Sequence, residues 1–204
     1  MGTKKREESR ARARTKREEA RRRAARRKAM TTGGLVVAIL GVVAVVVFAN
    51  RPGDDVPAGV PRGTRSFEIT ARNHVDGAVS YEQTPPAGGD HNPVWQNCGF
   101  YSQPVVSENA VHSMEHGAVW ITYSLGLPSD AVDHIREVAD EDSFVLATPF
   151  PGLPVPVVAS AWGRQLTLDD AADERLEQFV RAFSVGPQTP EPGAPCTGGT
   201  GEPE

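Results

Sequence analysis

Residues 107–124 read SENAVHSMEHGAVWITYS, and the pattern changes from helical to extended at Gly117. The first half predicts a short helix over Glu108–His116, with Ser107 as N-cap and the glycine at C′. The second half, apolar and rich in β-branched and aromatic residues, predicts a strand that begins at Ala118. This junction therefore predicts that a helix leads directly into a buried strand.

The helical interpretation determines what the two histidines of this stretch can do. On a helix, His112 and His116 lie about 6 Å apart on one face, where both can bind one metal ion. On a continuous strand they would be about 13 Å apart and could not share an ion. The His-x-x-Glu-His spacing also matches inverzincin metallopeptidases, which makes Glu115 the candidate base of a small metal-dependent hydrolase. The chain is far smaller than those enzymes, and this five-residue pattern is weak evidence for that activity.

Four histidines fall within 43 residues, in a region rich in Gly and Pro turns. We predict a transition-metal site formed by His91, His112 and His116, with His74 as a candidate fourth ligand. An imidazole-rich set, with Glu115 or Met114 as an additional donor, suits copper or zinc. The alternative is that each imidazole is a hydrogen-bonded structural group, which is also the interpretation favoured for His134 on a later helix.

The two cysteines, Cys98 and Cys196, have two interpretations that exclude each other. A disulfide between them would close a loop of about 100 residues, stabilise the domain by roughly 4–5 kcal/mol and fix the C-terminal tail. Alternatively, Cys98 is a copper ligand beside the histidines. The disulfide is favoured because nothing else explains a cysteine in a Gly/Pro-rich tail.

Beyond this region, periodicity predicts an α+β domain with helices on one face of a small mixed sheet. The predicted strands are Ser66–Thr70, Ala118–Ser124, Ser143–Thr148 and Val155–Trp162, and the two longer predicted helices are Ser129–Asp140 and Thr167–Ser184. The C-terminal tail is rich in Pro and Gly and is expected to be flexible unless it is tied to the domain.

The charge distribution separates the N-terminus from the remaining chain. The 204 residues carry a net charge of −4, yet residues 1–30 hold 14 Lys or Arg against 4 Glu, and no Lys follows them. This segment lacks an apolar stripe for packing and aromatic residues for stacking on bases. We therefore expect it to contact anionic lipid headgroups and not nucleic acid.

An apolar run follows the basic segment. Met30–Asn50 contains 21 uncharged residues, about 31 Å of helix, which matches the hydrocarbon thickness of a bilayer. The flanking charges predict a cytoplasmic N-terminus and an extracytoplasmic C-terminal domain in a single-pass membrane protein. A signal peptide cleaved after Ala49 is the alternative to this uncleaved signal-anchor.

These inferences give a linear organisation. The expected order is 1–30 basic cytoplasmic segment, 31–50 transmembrane helix, 51–65 Pro/Gly linker, 66–187 extracytoplasmic α+β domain and 188–204 flexible C-terminal tail.

Several motifs together resemble a bacterial membrane-anchored family catalogued only as a domain of unknown function. The shared segments are residues 85–91 (PPAGGDH), 97–99 (NCG), 108–120 (ENAVHSMEHGAVW), 161–164 (AWGR) and 189–196 (TPEPGAPC). The resemblance covers roughly Phe67 to Cys196 and implies an anchored outer domain without specifying an activity. The family pattern has Leu at Met114, which argues against Met114 as a ligand.

Three functions are compatible with these sequence features. The leading hypothesis is a single-pass membrane protein whose outer domain binds copper or zinc for metal handling or redox support. The second is a non-catalytic envelope interaction module in which the histidines brace loops, and the third is the metal-dependent hydrolase. Of these three, the sequence features favour a non-enzymatic role.

Overall fold

The computed structural model describes residues 59–204. The predicted basic segment, the predicted membrane-spanning helix and most of the predicted linker lie outside the described residues. Among residues 59–204, no helix combines the length and the apolar composition that crossing a bilayer requires. In chain order, the described elements are β1 (Arg65–Ser66), β2 (Gly99–Phe100), α1 (Ser107–His116), β3 (Val119–Tyr123), α2 (Ser129–Glu141), β4 (Val145–Pro149), β5 (Val157–Ala161), β6 (Arg164–Leu168) and α3 (Arg175–Phe183).

The strands form one mixed sheet in the order β1-β6-β5-β3-β4-β2. β3 and β2 run parallel to β4, with α2 as the crossover between β3 and β4. β5 pairs antiparallel with β3, β6 with β5, and β1 with β6. The mixed sheet and its helices confirm the predicted α+β class.

The two longer helices, α2 and α3, pack on one face of the sheet, as predicted, and α1 covers the other face. Successive residues of a strand point to opposite faces, and in β3 Val119 and Ile121 pack in one core cluster with α2 and α3. Trp120 points the other way, into a second cluster with α1 and the two cysteines. Because both faces are covered, β3 is buried at every position, as in strands without a solvent face.

The segment before α3 is a strand, although the sequence predicted a helix over Thr167–Ser184. Arg164–Leu168 forms β6, joined to β5 through Gly163, whose φ is +67°. A Cβ at Gly163 would lie 2.9 Å from the carbonyl oxygen of Phe67, so the turn requires glycine. The aspartates of the next segment close local turns, because Asp170 and Asp173 accept hydrogen bonds from backbone N–H groups two residues later.

Two further differences concern the ends of elements. The predicted strand at Ser66–Thr70 pairs with β6 only at Arg65–Ser66, and the loop region contains the short strand β2, which the sequence did not predict. α1 and its αL glycine, Gly117 at φ +116°, are confirmed, but Ser107 is the first helical residue and provides no side-chain cap.

The C-terminal tail is tied to the domain. Cys98 and Cys196 form a disulfide, and the Cys98 backbone N–H donates to the Cys196 carbonyl at 2.8 Å. Farther along, Asn97 donates to the carbonyl of Thr200, and Glu204 donates to the carbonyl of Phe100. The composition predicts a flexible tail only if nothing ties it to the domain. The disulfide and these hydrogen bonds do tie it.

Candidate metal centre

Helix α1 carries two stripes that have different roles. Ala110, Val111 and Met114 pack against the sheet in the second core cluster. His112, Glu115 and His116 occupy the opposite face because i, i+3 and i+4 positions of a helix adjoin. Loop segments and the tail cover this second stripe, so all three residues are buried.

Two segments of the loop region bring the other imidazoles to α1. His74 and His91 form an isolated parallel β-bridge, in which Val75 donates to the carbonyl of His91 at 2.8 Å. The Asp90 carboxylate accepts hydrogen bonds from the backbone and side chain of Asn73 at 2.7 and 2.8 Å. Sequence pattern gave no signal for this bridge, which depends on pairing between segments 17 residues apart.

The loop that follows the bridge is fastened to α1 directly. The backbone N–H of Asn92 donates to the carbonyl of Glu108, and Gln96 donates to the carbonyl of Asn109. Ser113 donates through Oγ to the carbonyl of Gln96 at 2.7 Å. The hydroxyl of Ser113 therefore helps to hold the loop against α1.

Backbone carbonyls orient three of the imidazoles. Nδ1 of His91 lies 2.8 Å from the carbonyl oxygen of Gly89, Nδ1 of His112 lies 2.7 Å from that of Asn92, and Nδ1 of His116 lies 2.7 Å from that of Pro195. A carbonyl only accepts, so each Nδ1 carries the proton. In the neutral ring Nε2 then presents a lone pair, which is the arrangement found in metal-ligating histidines.

Four side chains converge on one point with these donor atoms. Single ligand atoms of His74, His91, His112 and Glu115 all lie within 4.8 Å of one another. Ligands of a tetrahedral zinc ion lie about 3.4 Å apart, given bonds of about 2.1 Å. His74 is half exposed and has the freedom to close the remaining gap, so this group can hold one metal ion.

Glu115 brings a buried negative charge into the group. Its side chain is 4% exposed, and among residues 59–204 only two histidines lie within ion-pair distance of it. Oε2 is 2.9 Å from Nε2 of His91 and 3.8 Å from Nε2 of His74. Nε2 of His91 nevertheless makes no hydrogen bond, so the short contact lacks hydrogen-bond geometry. Two acceptors this close require a cation between them or a proton on the ring.

His116 lies on the other side of His112. The Nε2 atoms of the two rings are 3.0 Å apart, and His116 is outside the four-residue group. The Glu191 carboxylate of the tail is 3.9 Å from Nε2 of His116 and half exposed. The two predicted α1 ligands are therefore adjacent, but His116 faces the tail.

The surroundings of His112 keep its imidazole neutral. Burial lowers the pKa of His112 to about 4, the hydrogen bond to the carbonyl of Asn92 partly offsets this effect, and the neighbouring imidazoles lower the pKa further. The ring of Trp95 lies 5.7 Å from that of His112 and 5.1 Å from that of His116. Trp162 approaches His91 edge-on at 5.9 Å, so aromatic groups shield the cluster from water.

The remaining candidates lie elsewhere. His134 is on α2, 3.9 Å from Glu137 and outside the cluster. Met114 is fully buried against the sheet. Cys98 is in the disulfide, which excludes the alternative that it is a free thiolate ligand for copper.

The sequence predicts Glu115 as an additional donor and as the candidate base of a hydrolase, but not as one of the four principal ligands. Its carboxylate is placed as a ligand would be, next to the lone pair of His91. The signal was present in the sequence, because the i+3 position after His112 faces the same side of a helix. Glu191 gave no signal, because its approach to His116 depends on the path of the tail.

Comparisons with known proteins give one match, to a family model. No curated protein and no solved structure matches the chain. A family model matches residues 74–198, which include all four members of the histidine and glutamate group and both cysteines. The chain belongs to the family described as protein of unknown function (DUF3105).

Proposed function

We propose that this protein is a single-pass membrane protein whose outer domain binds one transition-metal ion through His91, His112 and Glu115, with His74 as the exposed fourth ligand. The bound ion is copper or zinc, and the role is metal handling at the cell envelope and not catalysis. Imidazole and carboxylate donors suit zinc and Cu(II). A buried thioether or thiolate, which would favour Cu(I), is absent from the group.

The observation that carries this proposal is the His91–Glu115 contact. An imidazole nitrogen and a carboxylate oxygen lie 2.9 Å apart without a hydrogen bond between them, and both side chains are at most 4% exposed. A metal ion bound by both atoms removes their repulsion. The Nδ1 atoms of His91 and His112, at 2.8 and 2.7 Å from backbone carbonyl oxygens, already orient both rings as in metal-ligating histidines.

A metal titration of matched variants tests the proposal. The full chain is purified in mild detergent, stripped with EDTA and titrated with Zn²⁺ and, separately, with Cu²⁺ in a calorimeter. We expect one ion per chain, and a loss of affinity of at least a hundredfold in His91→Ala and in His112→Ala. His134→Ala is the matched control because it removes an imidazole of the same domain outside the cluster, and it should bind like the unmodified protein.

Circular dichroism of each variant separates lost ligands from lost fold. If the unmodified protein takes up no stoichiometric ion, the histidines brace the loops, and the proposal fails. It also fails if the folded variants His91→Ala and His112→Ala bind as well as His134→Ala.

The location outside the cytoplasm rests on two observations. The sequence places an apolar run after a basic segment, and the domain contains a disulfide of the kind that persists in oxidising compartments. Lipid headgroups are the proposed partners of residues 1–30, because the positive charge there attracts anionic lipids.

Protease digestion of intact cells and of inverted membrane vesicles tests the orientation. Residues 51–204 should be accessible only from the outside of the cell, and the basic segment only from the cytoplasmic side. N-terminal sequencing of the membrane-associated protein should find no chain that starts at Asn50. A protected outer domain would refute the orientation, and a start at Asn50 would show that the anchor is cleaved.

A further inference from the structure

The cluster contains a second pair of metal donors, of which only His112 belongs to the four-residue group. Nε2 of His112 and Nε2 of His116 are 3.0 Å apart, close to the spacing of adjacent ligands on one ion. Nδ1 of each ring lies 2.7 Å from a backbone carbonyl oxygen, so Nε2 is the nitrogen of each ring that is available to an ion. Glu191, at 3.9 Å from His116, supplies a carboxylate at the edge of this space.

His112 belongs to both arrangements, but its ring can serve only one ion at a time. Nδ1 is committed to the carbonyl of Asn92 at 2.7 Å, and Nε2 has a single lone pair. We call His74, His91, His112 and Glu115 the inner set, and His112, His116 and Glu191 the outer set. An ion in the inner set therefore leaves the outer set without its shared ligand.

The two sets open to solvent at different places. His74, in the inner set, has a side chain that is 52% exposed, and Glu191, in the outer set, has one that is 57% exposed. Between them, the side chains of His91, Glu115 and His116 are at most 5% exposed. A buried histidine thus stands between two solvent-facing ligands, with an unbroken series of donors from one to the other.

We propose that the protein holds one divalent transition-metal ion that moves between the inner and the outer set by exchange around His112, and that the ion leaves to an acceptor through His116 and Glu191. The inner set, with four donors, is the resting position. The outer set, with two imidazoles and an exposed carboxylate, is the exchange position. This inference rests on the proposed metal-binding function. It adds that the bound metal is cargo, which the protein transfers to an acceptor.

Release kinetics test the hand-over. The full chain in mild detergent is loaded with one equivalent of Co²⁺, whose visible spectrum reports the ligand set, and release to excess EDTA is followed by stopped flow. In Glu191→Gln, we expect the equilibrium affinity for Co²⁺ to stay within threefold of the unmodified protein and the release rate to fall at least tenfold. The backbone N–H of Glu191, which donates to the carbonyl of Glu115, is unchanged by this substitution.

Three further variants complete the experiment. Glu137→Gln is the matched control and should leave release unchanged. Glu137 is an exposed carboxylate on α2, 3.9 Å from His134 of the same helix and outside both ligand sets. His116→Gln should also slow release while it retains most of the equilibrium affinity. His91→Ala should lose affinity, since it removes a ligand of the resting position.

The outcomes separate this inference from the proposed function. If the unmodified protein binds one Co²⁺ but Glu191→Gln and His116→Gln release it at the unmodified rate, the ion leaves by another route, and only the hand-over is refuted. Two ions bound at once, or an affinity loss in His116→Gln equal to that in His91→Ala, would also refute the hand-over. If no ion binds, both the hand-over and the metal-binding function fail.

Discussion

Replacing Glu115 with Gln should change stability in opposite directions with and without metal. The carboxylate is 4% exposed, and its short contact with His91 lacks hydrogen-bond geometry. A buried charge without a good partner costs several kcal/mol of folding free energy. Glutamine keeps the shape of the side chain and removes the charge.

In the metal-free protein, we therefore expect Glu115→Gln to raise the free energy of unfolding by about 1–2 kcal/mol, within the usual cost of an unsatisfied buried polar group. With metal bound, the unmodified protein should instead be more stable than Glu115→Gln. An ion present at a thousand times its dissociation constant stabilises the folded protein by about 4.1 kcal/mol. If the loss of this ligand weakens binding a hundredfold, the same ion concentration is only ten times the new dissociation constant, and the stabilisation falls to about 1.4 kcal/mol.

Urea unfolding in EDTA and in excess Zn²⁺, followed by circular dichroism, measures both quantities. Glu137→Gln, an exposed carboxylate on α2, serves as the control and should shift neither curve by more than about 0.5 kcal/mol. The competing explanation is that a protonated His91 forms an ion pair with Glu115. Breaking a buried ion pair destabilises a protein by about 3–5 kcal/mol, so a loss of that size in EDTA would refute the reasoning.

Three other perturbations have definite expected outcomes. The double substitution Cys98→Ser and Cys196→Ser should lower the free energy of unfolding by about 4–5 kcal/mol, since the bridge spans a sequence separation of 98; urea unfolding that matches the oxidised protein would contradict this. In EDTA, the free energy of unfolding should fall by about 3 kcal/mol as the pH drops from about 6.5 to 4, because the unfolded chain protonates His112 while the folded domain, with a pKa of about 4, does not. A His112→Ala protein that keeps the same acid sensitivity would refute this assignment. Gly117→Ala should destabilise the domain by about 1–2 kcal/mol, because φ is +116° and the new Cβ would lie 3.0 Å from Cα of Val185; an unchanged melting temperature would show that the turn adapts.

The parts of the fold that the sequence predicted well depend on local periodicity. The apolar stripe of Ser129–Glu141 and the αL position of Gly117 are visible in short windows. β6 was mistaken for the start of a helix because Thr167 and Leu168 precede acidic residues that resemble a helix N-terminus. In the structure they pair with Val157 and Val158 of β5, a long-range contact that overrides the local pattern.

In the candidate site, too, the sequence predicted the positions that depend on local spacing and missed those that depend on long-range contacts. The positions of His112 and His116 followed from helical spacing alone, and their Nε2 atoms do lie 3.0 Å apart. The approach of His91 depends on its bridge with His74, which no local pattern in the sequence indicates. The position of Glu191 depends on a tail whose course is set by the disulfide and by backbone hydrogen bonds to the end of α1.

Helix geometry explains how one short segment can serve both ligand sets. Relative to His112, the i+3 position is rotated by about −60° around the helix axis and the i+4 position by about +40°, because each residue advances by about 100°. Glu115 therefore turns towards the loop that carries His91, and His116 turns towards the tail that carries Glu191. In the proposed hand-over, the His-x-x-Glu-His spacing places one shared imidazole between two separate groups of partners, which is the geometry that passing an ion requires.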